Sequence, residues 1–179
     1  DTTLTALDSG STVTFNAPLK GEAHSLDVIG NAVFGDATGD DTATDLARLT
    51  VTGTTNINTT AVTSTGTQTY GDDDGTDTIT LGVDTTLTAL TVTFNAPIVG
   101  QAHSLAITGN AVFGDSTGDD IATGLASLAV SGTTAMYMSA ITSTGAQTYG
   151  DTDGTDTITL GADTTLTALD SGSTVTFNA

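Results

Sequence analysis

The stretch GTQTYGDDDGTDTITLGVDTTLTAL at residues 66–90 returns as GAQTYGDTDGTDTITLGADTTLTAL at residues 145–169. Tyr149 thereby repeats Tyr70, and the same offset relates Phe34 to Phe113, His24 to His103 and Asn31 to Asn110, without a gap between Pro18 and Asp163. The chain is therefore a tandem repeat, with units at residues 18–96 and 97–175. A second identity is longer in reach: DTTLTALDSGSTVTFNA at residues 1–17 is repeated letter for letter at residues 163–179. The middle copy, residues 84–96, lacks the DSGS of residues 8–11, so a shorter unit alternates with one that is longer by this tetrapeptide. Identical ends without a polar cap lead us to expect residues 1–179 to be one continuous fragment of a longer array.

The 179 residues carry 37% hydrophobic side chains, enough to build a core rather than a disordered tail. The charge is lopsided. Two basic residues, Lys20 and Arg48, stand against 20 Asp and one Glu, for a net charge of −19. Asp belongs in turns and metal loops and is a poor helix-interior residue, so helices are not expected. Such a charge repels nucleic acid and anionic lipid, and cations are the natural partners. No apolar run approaches the roughly 20 residues of a membrane helix, so no membrane insertion is expected. The absence of cysteine does not decide the redox compartment.

From Ser11 the chain reads STVTFNAP, HSLDVIG, NAVFGD, LARLTVTG, TTNIN, QTYGD, DTITLG and DTTLTAL. Each is a short alternation of Thr or a small residue with one apolar side chain, and Gly, Asn and Asp punctuate every run. Period two with β-branched residues marks pleated strand, so the class is all-β. An antiparallel sandwich or a parallel β-solenoid would satisfy this pattern. The aromatic positions favour the solenoid, in which like residues stack in columns from coil to coil. Tyr70, Phe94, Phe113, Met136 and Tyr149 follow one another at steps of coil length, the last of them short, which suggests about four coils per 79-residue repeat. On that assignment QTY, VTF, AVF and TNIN or AMYM form one sheet holding all five Phe. TITL, SLDVI or SLAIT, LARLTV or LASLAV and AVTS or AITS form the other. Phe94, Phe113 and Tyr149 would then share one inward column, and the Asn after each VTF would stack as an internal ladder.

The segments TGAQTYGD, TITLGADTTLTA, TVTFNAP, HSLAITGNAVFGD and TSTGAQTYGD resemble the repeats of filamentous-haemagglutinin-type exoproteins, which are large bacterial surface adhesins. The resemblance covers nearly the whole chain. It implies a right-handed parallel β-helix, an extracellular or cell-surface location, and a non-catalytic role as a structural segment of a long fibre or adhesin stalk. The implied partners are neighbouring repeats or identical subunits, with any receptor or glycan site elsewhere in the full protein. The alternative is a calcium-dependent, self-assembling surface-layer, matrix or filament subunit.

The chain departs from those repeats in two acidic segments per unit, GDDDGTD or GDTDGTD and GDATGDD or GDSTGDD. Each follows an aromatic-Gly-Asp step, so on the four-coil assignment they leave the same corner and share one edge. GTDTI at residues 75–79 and 154–158 also resembles the second half of a calcium-binding nonapeptide, a partial match because Asp replaces the preceding glycines and the motif occurs once per unit rather than in successive turns. Several carboxylates within six residues repel one another unless a cation intervenes, and oxygen ligands without thiolates favour a hard ion. The candidate calcium ligands are therefore Asp72, Asp74 and Asp77, their counterparts Asp151, Asp153 and Asp156, and Asp36, Asp40, Asp41, Asp115, Asp119 and Asp120. The competing reading is a solvated acidic turn.

His24 and His103 recur with the structural unit and read as parts of a rung rather than as ligands. An acid pair such as Asp119 and Asp120 beside His103 would suit sugar hydrolysis, but Lys20 becomes Val99 and Arg48 becomes Ser127 in the second unit, so no base accompanies the acids. Thr-x-Thr pairs are the default outward residues of an exposed sheet. The sequon at Asn58, Thr59 and Thr60 has no equivalent in the second unit.

Overall fold

The computed structural model describes residues 1–6, 10–36, 38, 40–115 and 120–178. Twenty-two strands and no helix are found among them. In chain order the first turn is β1 (Thr2–Thr5), β2 (Thr12–Phe15) and β3 (Leu19–Lys20). The second is β4 (Leu26–Ile29), β5 (Asn31–Phe34) and β6 (Thr42–Leu46). The third is β7 (Leu49–Val51), β8 (Thr55–Ile57) and β9 (Ala61–Ser64). β10 (Thr67–Tyr70), β11 (Ile79–Leu81) and the first half of β12 (Thr85–Phe94) make the fourth. The second half of β12, β13 (Ile98–Val99) and the first half of β14 (Leu105–Phe113) make the fifth. The remainder of β14 leads to β15 (Ile121–Leu125) and β16 (Leu128–Val130). Then come β17 (Thr134–Met136), β18 (Ala140–Ser143) and β19 (Gln147–Tyr149), and finally β20 (Ile158–Leu160), β21 (Thr165–Ala168) and β22 (Val175–Phe177).

Each strand pairs in parallel with the strand at the same place in the next turn, so the chain is a parallel β-solenoid with three faces. The second face is an eight-stranded sheet, β2-β5-β8-β11-β13-β15-β18-β21. The other two faces merge into one 14-stranded sheet, because β12 and β14 run through the corner between them. β14 makes that bend at Gly109, where φ is 122° and an added Cβ would lie 1.9 Å from the Ala89 carbonyl oxygen. Seven steps of about 4.8 Å give a rod of about 34 Å.

Alternating side chains point inward and form continuous columns, with Thr on the outside. On the first face Leu4, Val28, Val51, Tyr70, Phe94, Phe113, Met136 and Leu160 stand in register. Tyr70, Phe94 and Phe113 are sealed from solvent and stack at ring separations of 5.8 and 5.4 Å. The buried apolar side chains make one cluster along the whole axis.

The parallel stacking matches the sequence expectation, but the two-sheet, four-coil assignment does not. Counting the halves of β12 and β14 separately, one 79-residue unit advances eleven strands, which is three turns and two thirds. Equivalent residues of successive units therefore fall on different faces. Phe15 and Phe34 stack on the second face, Phe94 and Phe113 on the first, and Tyr149 on Phe177 on the third. Tyr149 does not join the column of Phe94 and Phe113. The short step from Met136 to Tyr149 spans two faces and the corners between them, whereas register partners along the first face, such as Tyr70 and Phe94, are separated by a whole turn of chain.

The Asn ladder is also absent among the described residues. Asn16 is exposed and Asn95 half-buried, and Asn178 Nδ2 donates to Gly150 O at 3.4 Å. The buried amides are instead Gln68 and Gln147, both at 0% exposure. Corner residues Asn31 and Asn110 accept, through Oδ1, the backbone N–H of Thr54 and Thr133 in the next turn, each at 3.0 Å.

Candidate cation sites at the corner loops

Each acidic loop leaves a strand through an aromatic-Gly step in which the glycine takes the left-handed region. Gly71 shows this with φ 80°, and an added Cβ there would meet Ala96 Cβ of the next turn at 2.8 Å. The loop closes by one bond common to all four copies. The backbone N–H of the first Asp donates to Oδ2 of the Asp five residues on: Asp36 to Asp41 (3.1 Å), Asp72 to Asp77 (3.4 Å), Asp115 to Asp120 (3.4 Å) and Asp151 to Asp156 (2.9 Å).

Three loops bring ligand atoms within 4.8 Å of one another: Asp72, Asp74 and Asp77; Asp151, Asp153 and Asp156; and Asp36, Asp40 and Asp41. Asp41 and Asp120 are buried at 5% exposure, while most of their companions face solvent. Asp115 and Asp120 occupy the same places in the fourth loop, and Asp119 lies outside the described residues.

A threonine holds each of these three clusters, a role the sequence reading missed although D-x-T recurs in all four loops. Thr76 donates to Asp74 Oδ1 from its N–H at 2.8 Å and its hydroxyl at 2.7 Å, and Thr155 does the same for Asp153 at 2.8 and 2.7 Å. Thr38 donates to Asp36 Oδ1 from its N–H at 2.7 Å, and its hydroxyl bonds both Asp36 and Asp40. Asp74 N–H donates to Asp72 Oδ1 and Asp153 N–H to Asp151 Oδ1, at 3.1 and 2.8 Å.

These bonds set the ionisation of the cluster. The Thr76 hydroxyl and N–H hold the Asp74 carboxyl below its ordinary range. Thr155 does so for Asp153, and Thr38 for Asp36. Asp77 moves the other way: partial burial pushes it up, and the charges of Asp74 and Asp72 add to the rise. The loop 72–77 thus places a firmly ionised Asp74 carboxylate beside that of Asp77, which is costly to charge.

The loops do not share one edge, contrary to the sequence expectation. Loops 72–77 and 115–120 leave the corner between the first and second faces, two turns apart. Loop 36–41 leaves the corner between the second and third, and loop 151–156 the corner between the third and first. The reason is the same one-third turn per unit that displaces Tyr149.

The other sequence candidates stay apart from the acidic clusters. His103 Nδ1 lies 3.5 Å from Asp84 Oδ1, His24 Nδ1 lies 3.5 Å from the amino group of Asp1, and Arg48 pairs with Asp27 at 2.8 Å. The Thr column of Thr50, Thr69 and Thr93 continues as Val112 and Ala135, so it does not run the length of the face. Asn58 of the sequon is tucked at a corner, with Nδ2 donating to Gly35 O at 3.4 Å. No family model, curated protein or solved structure matches the chain.

Proposed function

We propose that this chain is a structural, non-catalytic repeat segment of a long extracellular fibre or adhesin stalk, as its resemblance to filamentous-haemagglutinin-type repeats implies. The observation that carries the reading is what the repeat preserves. Successive units keep the inward columns unbroken while turning every outward feature by one face, so repetition maintains length and stiffness rather than a one-sided binding surface. Each added unit extends such a rod by about 18 Å, from three and two-thirds turns at about 4.8 Å. Electron microscopy of proteins with two and four units checks this. Rods that lengthen by that increment per unit, with antibody labelling on intact source cells, are expected. Compact particles, or labelling only after lysis, would reject the reading.

The three acidic clusters favour a second reading, in which calcium binds the corner loops and assembly depends on it. Isothermal titration of the 179-residue chain is expected to show saturable uptake at millimolar calcium or below, and a melting temperature lowered by chelator. A flat titration would remove this reading and leave the stalk reading untouched.

A further inference from the structure

We propose that the Asp74–Gly75 step, and its repeat Asp153–Gly154, is a self-modification site at which the aspartate isomerises through a cyclic imide. The inference concerns covalent chemistry within one loop and rests on neither reading of the function.

These are the two Asp-Gly steps of the sequence, one in each unit. Glycine leaves the amide nitrogen after an aspartate unshielded, so the attack of that nitrogen on the neighbouring carboxyl depends on what else holds the two groups. Asp74 and Gly75 belong to the fourth turn, which has further turns stacked on both sides. Both residues are exposed, and a Cβ built on Gly75 would meet nothing within 4 Å. The flanking amides are engaged: the Asp74 N–H donates to Asp72 Oδ1 at 3.1 Å, and the Thr76 N–H to Asp74 Oδ1 at 2.8 Å. The Gly75 N–H between them takes part in none of the hydrogen bonds found among the described residues.

Other aspartates are followed by amides that are tied to a neighbouring turn. The Thr78 N–H after Asp77 donates to Thr54 Oγ1 at 3.3 Å, and the Thr157 N–H after Asp156 donates to Thr133 Oγ1 at 3.2 Å. The Thr85 N–H after Asp84 donates to Ser104 O at 3.0 Å. In each of these the following residue also carries a branched side chain. The loop 72–77 therefore singles out one of its own aspartates.

The chemistry needs only water. Gly75 N attacks Asp74 Cγ and closes a five-membered ring; the N–Cγ bond forms, the Cγ–Oδ2 bond breaks, and Oδ2 leaves as water with the amide proton and the carboxyl proton. Water then opens the imide. Attack at the former Cγ restores aspartate, whereas attack at the former main-chain carbonyl leaves isoaspartate, with the chain running through Cγ. One water is lost and one regained, and nothing is oxidised or reduced. Thr76 is placed to assist, because its N–H and its hydroxyl, at 2.8 and 2.7 Å, both meet Oδ1, where the oxyanion of the tetrahedral intermediate develops. The same two donors hold the resting carboxyl ionised, so the attack draws on a small protonated fraction and product accumulates slowly. The product lengthens the main chain by one carbon inside a loop that the Asp72 N–H closes on Asp77 Oδ2. Each unit thus carries a corner loop that changes with age.

Storage of the folded 179-residue chain in heavy-oxygen water, followed by digestion in ordinary water and mass spectrometry, tests the site. The fragment containing residues 74 and 75 is expected to gain one heavy oxygen and to become a substrate for isoaspartyl methyltransferase, while fragments containing the Asp77–Thr78 and Asp84–Thr85 steps stay unchanged. Asp74→Glu keeps the charge but can close only a six-membered ring, which forms far more slowly. That variant should lose the label at residues 74 and 75, retain it at residues 153 and 154, and melt with the parent. Absence of label at Asp74 in the folded chain overturns the proposal, whether or not the chain acquires it in denaturant. So does label spread evenly over the Asp-Thr steps, or label at position 74 that survives Asp74→Glu.

Discussion

The segments STGTQTY at residues 64–70 and STGAQTY at residues 143–149 turn different corners of the rod by the same set of bonds. In the first, Ser64 Oγ donates to Gly66 O. Gln68 Nε2 donates to Val62 O and Thr88 O at 3.1 and 3.0 Å, and Tyr70 OH donates to Gln68 Oε1 at 3.0 Å. In the second, Ser143, Gln147 and Tyr149 repeat each bond, with Ile141 O and Thr167 O at 3.1 and 2.9 Å as the acceptors. One corner joins the third face to the first, the other the second to the third. Corner geometry is thus a property of the seven residues, and the face on which they act is decided by how many strands precede them. The buried amide reaches carbonyls of two successive turns, and burial pushes both tyrosine hydroxyls well above their ordinary range.

The largest expected difference between the two corners comes from their neighbours. Tyr70 has Val51 in register on one side and a double layer of Phe on the other, whereas Tyr149 is overlaid by the half-exposed Phe177 alone. Tyr70→Ala is expected to cost about 3–5 kcal/mol, as large aromatic truncations in rigid cores do. Tyr149→Ala is expected to cost less than half of that, because Phe177 can settle into the gap and the cost depends on how far the site collapses. Chemical denaturation of both variants checks it. Equal losses would mean that position along the rod is immaterial and only the corner cassette counts.

Strand positions, parallel stacking, the Phe94–Phe113 column and the acidic clusters were all legible in the sequence, because each follows from period-two alternation or from residue spacing within one loop. The number of faces was not. LAITGNAVF reads as one alternating strand, and nothing local announces that Gly109 turns it through a corner. Whether a given run begins a new face or a new turn is fixed by its register with strands a whole turn away along the chain, as between Gln68 and Val92. From that single ambiguity followed both the misplaced Tyr149 and the loops assigned to one edge. The D-x-T donors were readable in principle, since Thr76 and Thr155 hold the same bonds at the same spacing. The Asp-to-Asp closure across five residues was likewise open to view in all four loops.

A second contrast between the units lies at Asp45 and Gly124, which occupy the same corner position with φ of 57° and 66°. A non-glycine residue in this region carries a cost of about 1 kcal/mol, though Asp tolerates it better than most. Asp45→Gly should therefore stabilise the first unit by up to about 1 kcal/mol, and Gly124→Ala should destabilise the second by a similar amount. A pair of melting curves settles the sign; a loss in Asp45→Gly would show that the side chain contributes more than the backbone strain removes.

The smallest and most diagnostic effect concerns Asp77 within the loop 72–77. Its carboxyl is raised by partial burial and by Asp74 and Asp72, so the folded state prefers it protonated. The stability this contributes is fully present below the ordinary carboxylate value, and it is lost as pH rises through the folded value. Asp74 has the opposite sign. Its value is lowered by Thr76, so its contribution is present above the ordinary value and is lost as pH falls through the folded one. At neutral pH in chelator Asp77→Asn should then stabilise the chain, by no more than about 0.5 kcal/mol for so exposed a group, because Asn removes the repulsion while its Oδ1 still accepts the Asp72 N–H. The advantage should vanish in acid, where Asp77 itself is neutral. Saturating calcium should reverse the order, since the substitution removes a charged ligand from the cluster. Melting curves at neutral and acidic pH, with chelator and with calcium, separate the two roles of this loop. A variant that is more stable under every condition would leave it a hydrogen-bonded turn and nothing more.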